Sequence, residues 1–263
     1  MRISVCLTII CLCASCAEPR VPATVIFAAQ YAGQSLTCDA QHGVPALTDL
    51  RFFVHDIELR AADGTWSTLR LANDGDWQQD GLALLDLEDG SAACPNGTAE
   101  MNAAVTGTLP DGDYLGLRFV LGVPFDRNHA DPLTASAPLD DSAMHWHWRS
   151  GYKFLRAGLV SGTDGFWIHL GSTGCEGTVG NIAACRQPNR ARIELADFVP
   201  GQDTVVVDFS ALLEGTALDD GEASDCSSAP SEKSCKAPFA AFGLDFSSHR
   251  APAGQSIFRV VNR

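Results

Sequence analysis

Hydrophobic and polar residues alternate with a period of two along several segments of the chain, and turn residues separate these segments. Successive side chains of a strand point to opposite faces, so the alternation predicts strands with one buried face. Seven or more short strands of this kind predict an all-β fold, specifically an antiparallel β-sandwich of the Ig-like or Greek-key type, with a barrel as the alternative. The alternating segments are Val25–Tyr31, Leu50–Leu59, Tyr114–Val123, Phe166–Leu170, Arg190–Leu195, Thr204–Phe209 and Ser256–Val261.

Turn residues support this prediction, and one further segment is ambiguous. Glycine adopts positive φ and proline presets the first turn residue, so reversals are predicted at Asp63-Gly64, Pro110-Asp111-Gly112, Asp164-Gly165 and Pro200-Gly201. The segment from Asp140 to Gly151 opens with helix-capping residues and closes on glycine, which favours a helix. The alternation of Met144, Trp146 and Trp148 is equally typical of a strand. We predict a short helix here, on a long loop between strands.

The first 15 residues have the pattern of an export signal. Arg2 precedes the apolar run Ile3–Cys13, which is too short to span a bilayer but is typical of a signal peptide. Small residues then precede Cys16, as at a bacterial lipoprotein cleavage site, although Cys13 stands where leucine is usual. We predict a signal peptide over residues 1–15, cleavage before Cys16, and a periplasmic protein anchored to the outer membrane by lipid on Cys16. Cleavage after another small residue, giving a soluble periplasmic protein, is the alternative.

The rest of the chain shows no linker and no break in composition, which predicts a single β domain over residues 24–263. Its six cysteines are an even number in an oxidising compartment, so we expect three disulfides that staple the domain. The two short intervals suggest Cys175 with Cys185 and Cys226 with Cys235, leaving Cys38 with Cys94, although the sequence alone allows other pairings. The spacing Cys-x-x-Cys is absent from these six, which argues against a zinc knuckle or a redox dithiol.

The acidity of the chain and the motifs it lacks limit its function. The 18 Lys and Arg against 32 Asp and Glu give a net charge of −14, and removal of the signal peptide takes away only Arg2. Such a surface repels nucleic acid and anionic lipid, so we expect membrane contact only through the lipid anchor. The sequence contains no metalloprotease, esterase, phosphate-loop, dinucleotide-loop or haem-attachment motif, and we therefore predict a protein that is not an enzyme.

Histidines supply the candidate metal ligands. His55 falls on the apolar face of its predicted strand, where a core histidine is the alternative to a ligand. His129 lies in a loop, as a ligand or as a turn cap. His169 shares a strand face with Trp167, either in a site or on an outer surface. His145 and His147 would face the same way on a strand and chelate Cu(II), but would diverge on a helix.

Copper suits these residues better than calcium or zinc does, because imidazole and thioether groups are copper ligands, and Met144 is a candidate thioether. The acidic segments Asn73–Asp76 and Asp219–Glu222 do not have the EF-hand pattern and are expected to be solvated turns. Trp77 directly follows the first of these segments, and its indole is a candidate binding platform, packing lid or redox-active ring, with simple packing as the alternative.

Several blocks of this sequence, taken together, resemble the MbnP family, whose proteins are also called the four-cysteine members of the metallo-mystery pair. The resemblance runs from about Val25 to Val261. The blocks are Asn73-Asp-Gly-Asp-Trp-Gln, Leu82-Ala-Leu-Leu-Asp-Leu-Glu-Asp-Gly90, Gly112-Asp-Tyr-Leu-Gly-Leu-Arg-Phe119, Leu121-Gly-Val-Pro-Phe125, Asn128-His-Ala-Asp-Pro132, Met144-His-Trp-His-Trp148, Gly151-Tyr-Lys-Phe154 and His169-Leu-Gly-Ser-Thr-Gly-Cys175.

The resemblance implies a periplasmic or outer-membrane-associated copper-binding protein. It also implies a partner, a di-haem enzyme of the MauG-like cytochrome c peroxidase family, that oxidises a Trp of this chain to kynurenine. His129 and His169 lie in matching blocks and are the first expected ligands, with His55 third and Met144 a further candidate. The modified Trp is expected among Trp77, Trp148 and Trp167. The four-cysteine name matches Cys175, Cys185, Cys226 and Cys235, so Cys38 and Cys94 form a further pair.

Two classes of function follow from the sequence. The first is a copper protein, modified at Trp, that serves copper acquisition, storage or delivery, with an outer-membrane transporter as a second candidate partner. The alternative is a metal-free surface β-sandwich that recognises a glycan or a protein through exposed aromatic residues. A copper oxidase is a third and weaker hypothesis, because no substrate pocket can be recognised in the sequence.

Overall fold

Each of the seven alternating segments corresponds to a β-strand of the folded chain, and four of them extend one or two residues beyond the strand. The computed structural model describes residues 18–41, 43–214, 225–248 and 254–262. The predicted signal peptide, Cys16 and the acidic segment Asp219–Glu222 lie outside these residues. The strands are β1 Arg20–Tyr31, β2 Gln34–Ser35, β3 Ala46–Ala61, β4 Trp66–Thr68, β5 Arg70–Leu71, β6 Gln78–Gln79, β7 Leu82–Asp86, β8 Ala104–Pro110, β9 Tyr114–Leu121, β10 His145–His147, β11 Gly151–Ser161, β12 Asp164–Gly171, β13 Thr173–Thr178, β14 Asn181–Gln187, β15 Ala191–Ala196, β16 Asp203–Asp208 and β17 Phe258–Asn262.

Helices are few and short in the described part of the chain. They are α1 Phe209–Leu212 and α2 Lys236–Ala241, with 3-10 turns at Ser142–Met144 and Lys233–Cys235. The helix predicted between Asp140 and Gly151 is therefore only one 3-10 turn, and β10 follows it directly. Asp141 caps the turn by accepting a hydrogen bond from the Ala143 amide, but pairing of β10 with β11 takes over at His145. Among the described residues no helix is long and apolar enough to cross a membrane.

The described strands form two large sheets and one separate hairpin. One sheet has six strands, in the order β17-β16-β1-β8-β5 with β2 beside β1, and the other has nine strands centred on β3 and β11. The hairpin is β13 with β14. Most pairs are antiparallel, as predicted, but β1 and β16 pair in parallel. The reversal predicted at Asp164-Gly165 occurs just before it, at residues 162–163, because Asp164 already pairs with Ser161.

Four phenylalanines hold the two large sheets together, which makes the fold the predicted sandwich. Phe52 of β3 packs edge-on against Phe27 of β1 and Phe258 of β17, with ring centroids 5.6 and 5.8 Å apart. Phe119 of β9 makes the same kind of contact with Phe27 and Phe258, at 5.9 and 5.2 Å. Edge-to-face pairs add to the free energy gained by burying the rings. The core of the domain thus lies between β1 and β17 on one side and β3 and β9 on the other.

Three disulfides join the cysteine pairs that the spacing suggested. Cys38 bonds to Cys94, Cys175 to Cys185, and Cys226 to Cys235. The last bond holds a loop that extends the large sheet, since Cys226 pairs with β12 through two backbone hydrogen bonds, one to the Trp167 carbonyl and one from the His169 amide. The Cys226–Cys235 disulfide therefore holds a loop against the outer edge of β12, the strand that carries His169.

Candidate metal centre

Strand β10 brings histidines and tryptophans together over the start of β11. His145 lies opposite Tyr152, and His147 lies opposite Gly151. The Lys153 ammonium group donates a hydrogen bond of 2.7 Å to the Ala143 carbonyl and so ties the preceding 3-10 turn to β11. Trp146 lies between the two histidines on β10, a bulge between His145 and His147 interrupts the regular alternation, and Trp148 follows the strand.

His129 is oriented by the residue after β10. Its Nδ1 lies 3.3 Å from the Trp148 carbonyl oxygen, which only accepts hydrogen bonds, so Nδ1 carries the proton and Nε2 holds a lone pair. Buried Asn128 places this loop, since its backbone and side-chain oxygens both accept from the Tyr152 amide. A Cβ at Gly151 would lie 2.1 Å from the Asn128 oxygen, so the close approach requires glycine. Burial lowers the pKa of His129, which favours the uncharged, metal-binding form.

His169 packs against Trp146. The two ring centroids are 6.1 Å apart and the rings are nearly perpendicular. Trp146 also covers Gly171, where a Cβ would lie 2.5 Å from the indole ring. The Nε2 atom of His169 is buried and has no hydrogen-bond partner in the described part of the chain. Burial, together with the charges of Lys153 and Arg156, lowers the pKa of His169 to about 4, so its imidazole is uncharged at neutral pH.

His145 has the same character. Its Nε2 atom is buried and unpartnered among the described residues, and its ring lies 5.0 Å from the ring of Tyr152. Burial lowers its pKa, and His147 and His129 act in the same direction because they are close enough to interact electrostatically. The strand thus places a third imidazole next to His129, one that the sequence identified only as an alternative.

The other two expected ligands lie in different surroundings. His55 is buried in β3, its Nδ1 lies 3.1 Å from the Asp56 carboxylate, and its Nε2 is buried without a hydrogen-bond partner among the described residues. Burial lowers the pKa of His55, which Asp56 partly offsets. Met144 is 0% exposed and belongs to the hydrophobic core. Neither residue makes a ring contact with Trp146 or Trp148 in the structure, and their roles as ligands stay predictions.

The three tryptophans expected from sequence lie at three different places. Trp148 packs on the His147 ring at 5.3 Å and beneath the Arg149 guanidinium at 4.9 Å. Trp167 shares the outer face of β12 with His169, as predicted, but it packs over Gly158 of β11. Trp77 lines a cleft of about 580 Å³ together with Arg51, Asp86 and Pro138, and histidine is absent from the described lining of that cleft.

Trp146 is the residue that the sequence analysis missed. It stands between two histidines in His145-Trp-His147, on β10. The predicted helix gave no reason to expect this segment to pair with β11, and therefore none to expect the contact between Trp146 and His169.

A row of buried charges crosses the large sheet next to His169. Asp86 of β7, Arg51 of β3, Arg156 of β11 and His169 of β12 are successive cross-strand neighbours. Buried Asp49 neutralises both arginines, with nitrogen–oxygen distances of 2.8 Å to each. Burial lowers the pKa of Lys153 to about 8 and raises that of Asp86 to about 7. These charged residues lie on the face of the sheet that the loop with β10 covers.

The raised pKa of Asp86 predicts a pH dependence of stability. Between its usual pKa of 3.8 and about 7, the folded state binds more protons than the unfolded state, so this group lowers the free energy of unfolding as pH rises. The variant Asp86→Asn has no ionisable group at this position. We expect its free energy of unfolding, relative to that of the wild type, to rise by at least about 1.4 kcal/mol between pH 5 and pH 8, the equivalent of one pKa unit. Urea unfolding at both pH values measures this gain.

Asp140→Asn is the matched control for that measurement, because Asp140 lines the same cleft but is exposed. Its free energy of unfolding should change between pH 5 and pH 8 by the same amount as that of the wild type. Equal pH dependence of Asp86→Asn and the wild type would show that Asp86 is ionised without penalty in the folded protein.

This chain resembles known proteins over a range that includes the whole candidate centre. A family model described as MbnP matches residues 20–230. Among solved structures, MbnP from Methylosinus trichosporium is 28% identical and superposes with a TM-score of 0.80, covering 93% of this chain and 99% of that chain. No curated protein matches the chain. The matched residues include every histidine and tryptophan of the candidate centre.

Proposed function

The chain belongs to the MbnP family, and on this premise we propose that it is a periplasmic copper-binding protein without catalytic activity of its own. It would serve copper acquisition, storage or delivery. The three disulfides support an oxidising compartment outside the cytoplasm. Cleavage before Cys16 and a lipid on that residue would hold the protein at the outer membrane.

One observation carries the proposal: two imidazole nitrogens are buried beside β10 without hydrogen-bond partners, namely Nε2 of His145 and Nε2 of His169. A buried polar atom without a partner costs about 1–3 kcal/mol, and a bound metal ion removes that cost. Neutral imidazoles suit copper, and the lowered pKa values keep these rings neutral. We propose His129 and His169 as ligands, with His145 as the third.

We further propose that Trp146 is the tryptophan that a di-haem MauG-like partner oxidises to kynurenine. Its contact with His169 supports this choice over the other tryptophans. Kynurenine carries an amine and a carbonyl group where the indole ring was, so the modified side chain would bring new donor atoms to the imidazoles. The partner enzyme would supply the oxidant, because haem-attachment motifs are absent from this sequence.

The decisive experiment is to export the full chain with and without the di-haem partner and to measure its intact mass and copper content. We expect cleavage before Cys16, three disulfides, the Trp-to-kynurenine mass change only with the partner, and about one copper per chain in that sample. Protein that keeps an unmodified Trp beside the active partner and binds no copper would contradict the proposal. A metal-free module would instead bind glycan or protein equally well in both samples.

A glycine-to-alanine change tests the Trp146 contact without touching a ligand. Gly171→Ala places a Cβ 2.5 Å from the Trp146 ring and 3.0 Å from the Tyr152 oxygen, so the indole must move away from its present place beside His169. We expect copper affinity at least about tenfold weaker, the lower end of what is lost when a ligand's support is removed. Competition with a colorimetric Cu(I) chelator measures the affinity.

Gly165→Ala is the control on the same strand, because its Cβ would lie 3.5 Å from its nearest neighbour, an ordinary contact. It should bind copper as the wild type does. Equal affinities for Gly171→Ala and Gly165→Ala would mean that the position of Trp146 does not matter for copper.

A further inference from the structure

His129 also belongs to a second group of metal-binding atoms, which it forms with Cys175 and Cys185. Cys175 of β13 and Cys185 of β14 are directly opposite each other in the separate hairpin, with Cα atoms 3.8 Å apart. The Nε2 atom of His129 lies 3.7 Å from the Cys185 sulfur. The two sulfurs and the imidazole nitrogen all lie within 4.8 Å of one another.

We propose that reduction of the Cys175–Cys185 disulfide creates a site in which two thiolates and His129 bind one Cu(I) ion. It is an alternative to the proposed centre beside β10, because both would use Nε2 of His129. Thiolates are soft ligands that select Cu(I), and imidazole is compatible with the same ion. The proposal goes beyond copper binding by the oxidised protein, and it requires neither the modified Trp nor a copper ion at His169.

The distances fit a three-coordinate ion. For bonds of about 2.3 Å to sulfur and 2.0 Å to nitrogen at trigonal angles, the nitrogen and sulfur atoms lie about 3.7 Å apart, which is the present separation of His129 and Cys185. The two sulfurs would need to lie about 4 Å apart in that arrangement. Reduction frees them to separate by side-chain rotation, while the paired strands stay where they are.

The imidazole already faces the sulfurs. Its Nδ1 is held by the Trp148 carbonyl, the arrangement that fixes the tautomer of a histidine ligand. The Asn128 amide nitrogen lies 3.3 Å from Nε2 and competes for the lone pair, but it also donates to the Ser150 carbonyl at 3.2 Å. Metal binding would therefore cost one weak hydrogen bond to His129 and leave Asn128 with its other partner.

The surroundings single out this disulfide among the three. Cys38, Cys94, Cys226 and Cys235 are each at most 2% exposed, whereas Cys185 is half-buried on an exposed hairpin. A cleft of about 370 Å³, lined by Phe125, His129 and Ile182, opens beside it. The other two disulfides have a glutamate nearby where this one has an imidazole. Access for a reductant and a soft ligand set thus coincide only here among the described disulfides.

The chemistry balances with a dithiol reductant. The dithiol gives two electrons and two protons, closes its own disulfide, and leaves Cys175 and Cys185 as thiols. Cu(I) then displaces the two thiol protons and bonds to both sulfurs and to Nε2 of His129. No electron moves in this second step, so the copper stays Cu(I) throughout.

The test uses the full chain expressed without the di-haem partner. A phosphine reductant is titrated in, alkylation and mass spectrometry identify which cysteines have opened, and the reductant is removed under anaerobic conditions. Competition with bicinchoninate then counts Cu(I) ions. We expect Cys175 and Cys185 to open first and the reduced protein to bind one more Cu(I) per chain than the oxidised protein does. Opening of a buried disulfide first, or no additional ion, would overturn the proposal.

Variants assign the additional ion to its ligands. The double variant Cys175→Ser with Cys185→Ser should lose it, and His129→Ala, which keeps the disulfide, should bind it at least tenfold more weakly. His147→Ala, an exposed histidine on the same strand as His145, should bind it as the wild type does. An additional ion that survives in His129→Ala with unchanged affinity would also overturn the proposal. Because this sample is made without the di-haem partner, failure of the proposed function in partner-treated protein leaves the difference between the reduced and oxidised samples unchanged.

Discussion

His169→Ala is expected to abolish copper binding by protein that the di-haem partner has modified. The change removes a proposed ligand whose ring is uncharged at neutral pH and whose Nε2 is buried without a hydrogen-bond partner among the described residues. Removing groups that merely support a ligand weakens metal binding about 10–100-fold, so loss of the ligand itself should exceed about 100-fold. Copper per chain after desalting, measured by elemental analysis, should fall from about one to almost none.

His147→Ala is the matched control, because His147 lies two residues from His145 on the same strand but is exposed. It should keep its copper. The mass of Trp146 in His169→Ala separates two causes: unchanged conversion to kynurenine with lost copper indicates a ligand, whereas lost conversion indicates a role in the modification. Full copper content in His169→Ala would remove this residue from the proposed site.

Phe52→Ala should produce the largest loss of stability among single changes in the sandwich. Phe52 is 0% exposed and contacts Phe27 and Phe258 of the opposite sheet at 5.6 and 5.8 Å. Replacing a buried phenylalanine by alanine typically costs about 3–5 kcal/mol, because the lost burial is joined by the cost of a cavity. Urea unfolding followed by circular dichroism should show a midpoint shifted to lower urea with an unchanged slope.

Leu133→Ala provides the comparison, since Leu133 is 87% exposed and its side chain contributes little to the core. Its unfolding free energy should stay within about 0.5 kcal/mol of the wild type. A cost of less than about 1 kcal/mol for Phe52→Ala would mean that the sheets repack around the cavity, and would weaken the argument that four rings hold them together.

Strand positions were predictable because alternation survives wherever one face of a strand is buried. The pattern of β12 correctly placed Phe166, Ile168 and Leu170 inward. Alternation located β3 but did not show that its first ten residues are buried on both faces. Their outer face carries Asp49 and Arg51, and sequence alone could not reveal that a loop covers these charges.

The candidate centre was less predictable than the fold because it depends on contacts between distant segments. The sequence identified His129 and His169 as separate candidates. It could not show that β10 would pair with β11 and so bring Trp146 to His169. The hydrogen bond from the Lys153 ammonium group to the Ala143 carbonyl, which ties the turn before β10 to β11, leaves no trace in a pattern of apolar residues.

The start of β1 sets how the domain would face a membrane. Three residues lie between Cys16 and Arg20, a span of four Cα steps, so a lipid on Cys16 would hold the first strand within about 14 Å of the bilayer. The Asp111 amide donates to the Pro19 carbonyl, which puts the turn before β9 at this same end. Strand β9 has eight residues and spans about 26 Å, and the loop with His129 follows its far end. The metal centre would therefore point away from the lipid, toward the open periplasm, where a soluble enzyme can reach it.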